Sequence, residues 1–480
     1  MSLDDKAVFQ HRDHELGLCD GSKHVDTAGA EYVEGTVEEK KLVTKIDYHL
    51  IPILWAMYVF NYLDRTNIGN AKVGGMETDL DLSSSDYSLI VSIFFVAYLL
   101  FEPPAVMVLA RTKPSIFLPT IMIAWGAVSV AVKGIHGLGG MIAFRIVLGF
   151  LEAGFFPGVM LVLSCWYKAS HSAPSELSKR IAIFYTGTIL AGAFGGLLAG
   201  GIIDGMDNIG GVRGWKWLFI IEGLGTVVVG VIAYFLLPDY PTNTKWLSAD
   251  ERRLATTRLA IREDLDDKMP FKKAVSLSIR DPKMWLFMLS LNTILAAGTV
   301  SYFFPTLMGA LGYSGRMVQF MTVPIYTVTL VFNLAMGFSA DFTGKKAYHV
   351  VGCCVFAIVS FIICAAATQF PVRYAFICFG FAGVQCCVPL LISWEVTMFP
   401  GRERRAVSVP VINGFGNLAS VYGSFIWPSQ DAPRYIVGFA VMTTFMFVAG
   451  SIALLIKLVW DDKGLGRIDY KAQEQESESK

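Results

Sequence analysis

Twelve stretches of about 20 or more mostly apolar residues follow one another along this 480-residue chain. They lie at about 47–69, 86–110, 114–133, 138–166, 180–203 and 215–237, then at about 283–308, 317–340, 347–367, 371–396, 406–427 and 434–459. A helix of about 20 apolar residues spans the ~30 Å hydrocarbon layer of a bilayer. The pattern therefore predicts an all-α membrane protein of twelve transmembrane helices. Six runs precede a charged stretch between Pro238 and Lys283 and six follow it. We read this as two pseudo-symmetric six-helix bundles, 47–238 and 283–460, joined by a central loop, 239–282, with polar tails at 1–46 and 461–480.

Charged residues make up 17% of the chain and sit mainly between the apolar runs. A soluble protein carries nearer about 25%, spread over its surface. Positive and negative side chains balance at 40 each, which argues against nucleic acid as a partner. Cys353, Cys354, Cys364, Cys378, Cys386 and Cys387 lie inside apolar runs and are read as small hydrophobes. Neither they nor the seven His show metal-ligand spacing, so no metal or cofactor is expected. The N-terminal tail has no apolar core, hence no cleavable signal peptide.

Basic residues set the orientation. Arg111, Lys113, Lys168, Lys179, Arg180, Lys345, Lys346, Arg402, Arg404 and Arg405 follow runs 2, 4, 8 and 10, and the central loop is rich in Lys and Arg. The positive-inside rule then places both termini and the central loop in the cytoplasm. Within that loop Ser248-Ala-Asp-Glu251 reads as a capping box opening a helix to about Arg262. Gly192, Gly196 and Gly200, spaced by four in run 5, form a stripe where two helix backbones can approach closely. Prolines at 103, 104, 157, 305, 324, 389 and 410 mark weak points in the helices.

Ionisable residues at membrane depth are costly and usually face a cavity or a partner. Two sets stand out: Asp64–Arg65 in run 1, and Arg145 with Glu152 in run 4. Asp64 and Arg65 project about 100° apart, so one can line a cavity while the other reaches a partner. Arg145 and Glu152, seven apart, share one face with Gly149 between them. Arg65 and Arg145 are the candidates for a substrate carboxylate, because guanidinium offers a fixed fork of donors. Asp64 and Glu152 are the candidate proton carriers: burial and a nearby Arg act in opposite directions on a carboxyl, so it can take up and release a proton. The competing reading is a structural ion pair, Arg145–Glu152 or Asp64 with either Arg. Asn413, Asn417 and Tyr302 are further candidate substrate contacts, with Phe303 and Tyr326 as possible aromatic partners. Glu102, Glu222 and Glu395 are open: Glu395 could face a cavity or pair with the basic linker after run 10.

Gly337-Phe-Ser-Ala-Asp341-Phe-Thr-Gly344-Lys345-Lys346 resembles the cytoplasmic-loop motif of the major facilitator superfamily. The corresponding place after run 2, Ala110-Arg111-Thr112-Lys113-Pro114, is a degenerate copy without the Asp. Several blocks are similar to the anion:cation symporter family and its fungal allantoate-permease branch. These are Asn61-Tyr-Leu-Asp-Arg-Thr-Asn-Ile-Gly-Asn-Ala71, Arg145-Ile-Val-Leu-Gly-Phe-Leu-Glu-Ala-Gly154, Gly214-Trp-Lys-Trp-Leu-Phe-Ile-Ile-Glu-Gly223 and Leu237-Pro-Asp-Tyr-Pro241. The resemblance covers about residues 45–460. It implies a conformational latch at Gly337, Asp341, Gly344, Lys345 and Lys346, and proton coupling by Asp64 and Glu152.

The function expected is secondary active transport by alternating access: proton-coupled uptake of a small organic anion across the plasma membrane. The resemblance points to a vitamin-like carboxylate, a ureide or a sugar acid. The alternative is export of an acidic secondary metabolite. A membrane enzyme would need a His–Asp or DxD constellation in a membrane-facing loop, which the Asp81–Asp86 region and the His residues do not show, and tails of about 45 and 20 residues are short for a sensor. The partners expected are the anion, protons and the bilayer. A monomer is expected, because one chain holds both bundles.

Overall fold

The computed structural model describes residues 36–109, 112–168, 176–263, 270–399 and 402–461. Twelve long helical segments run through them, and no strand occurs among the described residues. In the first half, α1 is Val37–Ala71, α2 Ser84–Leu109, α3 Pro114–Val130, α4 Gly137–Trp166, α5 Glu176–Gly205 and α6 Gly214–Leu236. In the second, α7 is Pro282–Ala310, α8 Val323–Thr343, α9 Lys346–Ala366, α10 Phe370–Met398, α11 Arg402–Asn417 with a further turn at Ala419–Gly423, and α12 Ile436–Ile456.

Ten of these are long and apolar enough to cross a membrane by composition, and α1 and α11 fall short among the described residues. The reason is local. α1 carries Asn61, Asp64, Arg65, Asn67 and Asn70, and α11 opens on Arg402–Arg405 and holds Asn413 and Asn417. These polar residues are turned inward: Asn61, Asp64, Asn67 and Asn70 are buried. α1 also starts ten residues before its apolar run. Thr36 caps it, its side chain accepting from the Glu39 amide at 3.2 Å, with Glu38 and Glu39 in the first turn, where negative charge suits the helix dipole.

Helices α1–α6 pack chiefly on one another, as do α7–α12. The halves meet where α5 lies against α8 and α2 against α11. The predicted glycine stripe is this contact. A Cβ on Gly196 would stand 2.3 Å from Thr322 Oγ1, and one on Gly200 2.4 Å from the Phe320 ring. The halves are also bonded at the ends of these helices remote from both chain ends. Tyr87 OH donates to the Tyr302 carbonyl at 2.8 Å, Ser88 to the Ser424 carbonyl at 2.9 Å, and Gln319 Nε2 to the Asn70 carbonyl at 3.1 Å. These bonds hold the two halves together on that face.

Prolines 103, 104, 389 and 410 sit inside continuous helices. Breaks occur elsewhere: at Ala153–Gly154 in α4, at Thr299–Phe303 in α7, where the chain tightens to a 3-10 turn before Pro305, and at Leu418 in α11. Irregular backbone at membrane depth is tolerated where it is buried in protein or lines a cavity. The breaks in α7 and α11 border the site below.

The central loop contains the expected helix, Ala249–Glu263. Its capping box is closed both ways: Glu251 N donates to Ser248 Oγ at 3.2 Å and Ser248 N to Glu251 Oε2 at 2.9 Å. A second connector helix, Phe271–Arg280, follows. The first is tied to the first bundle by Glu251 to Lys45 (2.7 Å), and by Arg258 to Glu176 (3.3 Å) and to the Trp166 carbonyl (2.7 Å). The second is tied to α11 through Ser278 and Ser408 at 3.0 Å.

Candidate functional site

A cavity of ≈ 170 Å³ lies between the halves. Its walls include Tyr62, Arg65 and Tyr98 from the first half and Gln385, Asn413 and Asn417 from the second. Arg65 is the only charged side chain among the described lining residues. The breaks in α7 and α11 put Thr299, Ser301, Tyr302 and Ser420 on the same wall.

Arg65 is held from below and from the side. Its Nε donates to Glu152 Oε2 at 2.7 Å, and its guanidinium carbon lies 4.7 Å from the Tyr98 ring centre and 5.4 Å from that of Phe94. Asn61 Nδ2 donates to the same Glu152 oxygen at 2.9 Å. A guanidinium stacked on aromatic faces and paired with one carboxylate is pre-oriented. Arg65 Nη2 finds no partner among the described residues, so donor capacity remains.

Asp64 points the other way, as the angular argument requires. Its Oδ2 accepts from Trp125 Nε1 of α3 at 3.1 Å and from Thr226 Oγ1 of α6 at 3.0 Å. It is buried and does not line the cavity. One turn along, Asn67 donates to Glu222 of α6. Two rungs therefore join α1 to α6, each a carboxyl held by neutral donors.

Arg145 departs most from expectation. It is buried behind the wall, its Nε donating to the Ile90 carbonyl at 3.3 Å and its guanidinium 4.8 Å from the Phe94 ring, so it stands outside the cavity lining in this conformation. The two arginines thus flank one phenyl ring, with Arg65 on the cavity side. None of the structural pairs considered from the sequence is present among the described ion pairs. Glu152 takes Arg65 instead of Arg145, and Asp64 takes neither Arg. The physical reason is that the long Arg65 side chain of α1 reaches Glu152 on α4 at 2.7 Å, while Arg145, two turns from Glu152 on α4, is drawn to an α2 carbonyl.

Tyr302, Asn413 and Asn417 all line the cavity. Tyr326 and Phe303 do not: Tyr326 packs on Phe304 and Phe381, and Phe303 on Tyr87 and Trp427. Glu102 is half-buried and outside the lining. Glu395 turns to Asn413 (3.2 Å) rather than to the basic linker. Sequence reasoning missed Asn333 and Gln385, whose signal was a lone amide in an apolar run, and missed Tyr58, Tyr62, Tyr98 and Tyr185, which periodicity cannot tell from core.

In the loop motif, Gly344 ends α8 in a left-handed conformation (φ 67°), which favours glycine. Lys346 Nζ donates to the Ser393 carbonyl of α10 at 3.1 Å, joining α9 to α10, and Lys345 is exposed. A Cβ on Gly337 would meet nothing within 4 Å. The Asp341 side chain and residues 110–111 of the degenerate copy lie outside the described residues.

The sequence profile described as the Major Facilitator Superfamily matches residues 54–428. The MFS-type transporter efuF of Hormonema carpetanum is 31% identical over 460 residues, covering 93% of this chain and 91% of its own length. The MFS transporter prlL of Fungal sp. (strain NRRL 50135) is 33% identical over 435 residues, 87% of this chain and 86% of its own. Among solved structures, an inward-facing, unoccupied bacterial homologue of the human lysosomal transporter Spinster superposes with a TM-score of 0.65 at 16% identity. That match covers 87% of this chain and 97% of the other. The profile match, the relatives and the two-bundle fold around a central cavity agree: this chain is a multi-pass membrane transporter, not an enzyme, and belongs to the Major Facilitator Superfamily.

Proposed function

We propose that this transporter moves a small organic anion by proton-coupled symport, taking it up across the plasma membrane with both chain ends in the cytoplasm. The observation that carries the reading is Arg65: a guanidinium in a cavity whose other described walls are tyrosines, amides and hydroxyls interleaved with apolar side chains such as Phe95, Leu291 and Ile392, and already holding a carboxylate, that of Glu152. A substrate carboxylate has the same shape and charge as its present partner. When the substrate displaces Glu152 from Arg65, Glu152 is left buried without its cation. Uncompensated buried charge costs several kcal/mol, so the exchange is completed by a proton on Glu152. Asp64, behind it, is the second proton carrier, and Arg145 holds α4 against α2 while adding positive charge to the site. Asn413, Asn417 and Tyr302 complete the substrate contacts.

An inside-negative membrane potential opposes entry of a monoanion by about 2.3 kcal/mol per 100 mV, and co-transported protons offset that charge. With the halves held together on the face remote from the chain ends, the conformation is the one that loads and releases on the cytoplasmic side. The turn at Gly344 with Lys345, Lys346 and Asp341 is the latch for the opposite state. A panel of radiolabelled monocarboxylates, ureides and sugar acids, offered at about pH 5 and pH 7 to cells lacking endogenous carriers, tests this reading. Accumulation against a gradient that rises at acid pH supports it. Asp64→Asn and Glu152→Gln should each reach the membrane yet lose the pH dependence. Normal pH-dependent uptake in both would reject the proton roles, and efflux without accumulation would reverse the direction.

A further inference from the structure

Glu395 lies in α10, fully buried, with Oε1 accepting from Asn413 Nδ2 at 3.2 Å and Oε2 without a partner among the described residues. Asn413, on α11, lines the cavity. Its Nδ2 is committed twice, to Glu395 Oε1 and to the Val409 carbonyl at 3.0 Å. An amide nitrogen carries two hydrogens. Both are used, and Oδ1 is the atom Asn413 has left for the cavity.

Amide orientation is normally settled by its neighbours. Here one neighbour is a carbonyl, which only accepts, and the other is a carboxyl, which only accepts while ionised. A protonated carboxyl gains an O–H donor and can donate to Asn413 Oδ1. The amide, turned by half a revolution, gives up its bond to the Val409 carbonyl, an acceptor within the α11 helix, and offers its N–H groups to the cavity.

We propose that Glu395 and Asn413 form a proton-operated polarity switch in the second bundle. With Glu395 ionised the cavity wall presents an acceptor, and with Glu395 protonated it presents donors. An anion is disfavoured by the first and bound by the second. A proton on Glu395 and a carboxylate in the cavity therefore favour each other, and by linkage the effect is reciprocal. The proposal rests on the reading of this cavity as an anion site and adds a positioning residue that acts through an amide, in a bundle to which that reading assigned no proton.

The surroundings allow it. Tyr185 of α5, a cavity residue, lies within electrostatic reach of Glu395. The cations on the helices around α10 are engaged elsewhere: Lys346 of α9 at Ser393, Lys283 of α7 at Asp281 and the Met398 carbonyl, and Arg404 of α11 at Asp281. His349 of α9 bonds Ser339, and the α9 thiols Cys353 and Cys354 pack near Cys386 and Cys387 on the α10 side. Among the described residues no cation pairs with Glu395.

The test is infrared difference spectroscopy of the full chain in lipid nanodiscs, with no substrate added, as the sample is taken from about pH 9 to about pH 5, a span that covers carboxyl titration in proteins. Acidification should bring in a protonated-carboxyl band together with a change in an Asn amide band. Asn413→Leu should remove the amide change, and Glu395→Gln should remove both. Survival of both changes in Glu395→Gln, or an Asn413 amide band that pH does not move, overturns the switch. Should Glu395→Gln fail to fold, Glu395→Asp keeps the acid one methylene shorter, and an unshifted carboxyl band is then the overturning result. The uptake panel is independent of these spectra. Uptake that ignores pH beside an intact spectral switch sinks the functional reading alone, and pH-driven uptake without the spectral changes sinks the switch alone.

Discussion

The two bundles bury different chemistry around one cavity. Among its described residues the first buries three carboxyls within its apolar runs, Asp64, Glu152 and Glu222, and holds two guanidinium groups beside them, Arg65 and Arg145. The second, among its described residues, holds one carboxyl there, Glu395, and faces the cavity with amides and hydroxyls: Asn333, Gln385, Asn413, Asn417, Thr299 and Ser301. Charge is expensive to bury and discriminates by sign, whereas neutral hydrogen-bonding groups are cheaper and discriminate by shape. On the proposed reading, charge selection and the proton carriers Asp64 and Glu152 belong to the first bundle, and the second recognises the substrate body, with Glu395–Asn413 as its one proton site.

The largest test of that division is Arg65→Ala. It leaves Glu152 buried without its cation, a loss of about 3–5 kcal/mol for a broken buried pair, so uptake should fall to background and the melting temperature should drop. Adding Glu152→Gln should restore much of the stability and none of the uptake, which thermal melting and transport assays separate. If uptake returns with stability, the pair is only structural and the contrast fails.

A wedge where the bundles touch comes next. Gly196→Leu forces a side chain into Thr322 and the Gln319 carbonyl. Overpacking costs about 1–3 kcal/mol, here charged to the state in which the bundles touch. Spin labels on the remote ends of α5 and α8 should report a longer distance in a larger fraction of molecules.

A milder change sharpens the comparison from the other side. Asn417→Ala removes a cavity amide at about 1 kcal/mol, about fivefold in KM, and should leave the pH dependence of uptake intact. A lost pH response would move coupling into the second bundle by a route other than Glu395.

The smallest effect lies outside the membrane, where the first connector helix clasps only the first bundle. The bond to the Lys45 ammonium, with the Ser248 amide, holds the Glu251 carboxyl below its usual range. A lowered folded value means stabilisation present above the unfolded carboxylate pKa of about 4.3 and lost as pH falls through the folded value. Glu251→Gln should cost about 0.5–1 kcal/mol at neutral pH, as for a weakened cap, and its melting curve should converge with that of the native protein on acidification.

Much of this was legible in the chain. Length and apolarity located the helices, and the capping box at Ser248 named its helix to within a residue. The four-residue glycine spacing on α5 announced a close contact, though not that its partner was α8. Angular reasoning separated Asp64 from Arg65 correctly. It could not see Arg145 retreat behind Phe94, because Arg145 and Glu152 share a helix face and only the reach of the Arg65 side chain from α1 decides which Arg the acid meets. Tyr62, Tyr98 and Tyr185 stayed hidden because an aromatic residue in a membrane helix has the same sequence signature whether it fills a core or walls a cavity.

The sequence by itself determined that this chain crosses a bilayer many times in two sets of six, and that α1 and α4 would carry its costly charges. Burial in hydrocarbon is a one-dimensional constraint, readable from runs of residues. Which charges pair, which face the cavity and which way an amide turns were decided only in the tertiary structure. Those outcomes depend on a few ångströms between helices that are distant along the chain, and on donors and acceptors that meet only once the helices have packed.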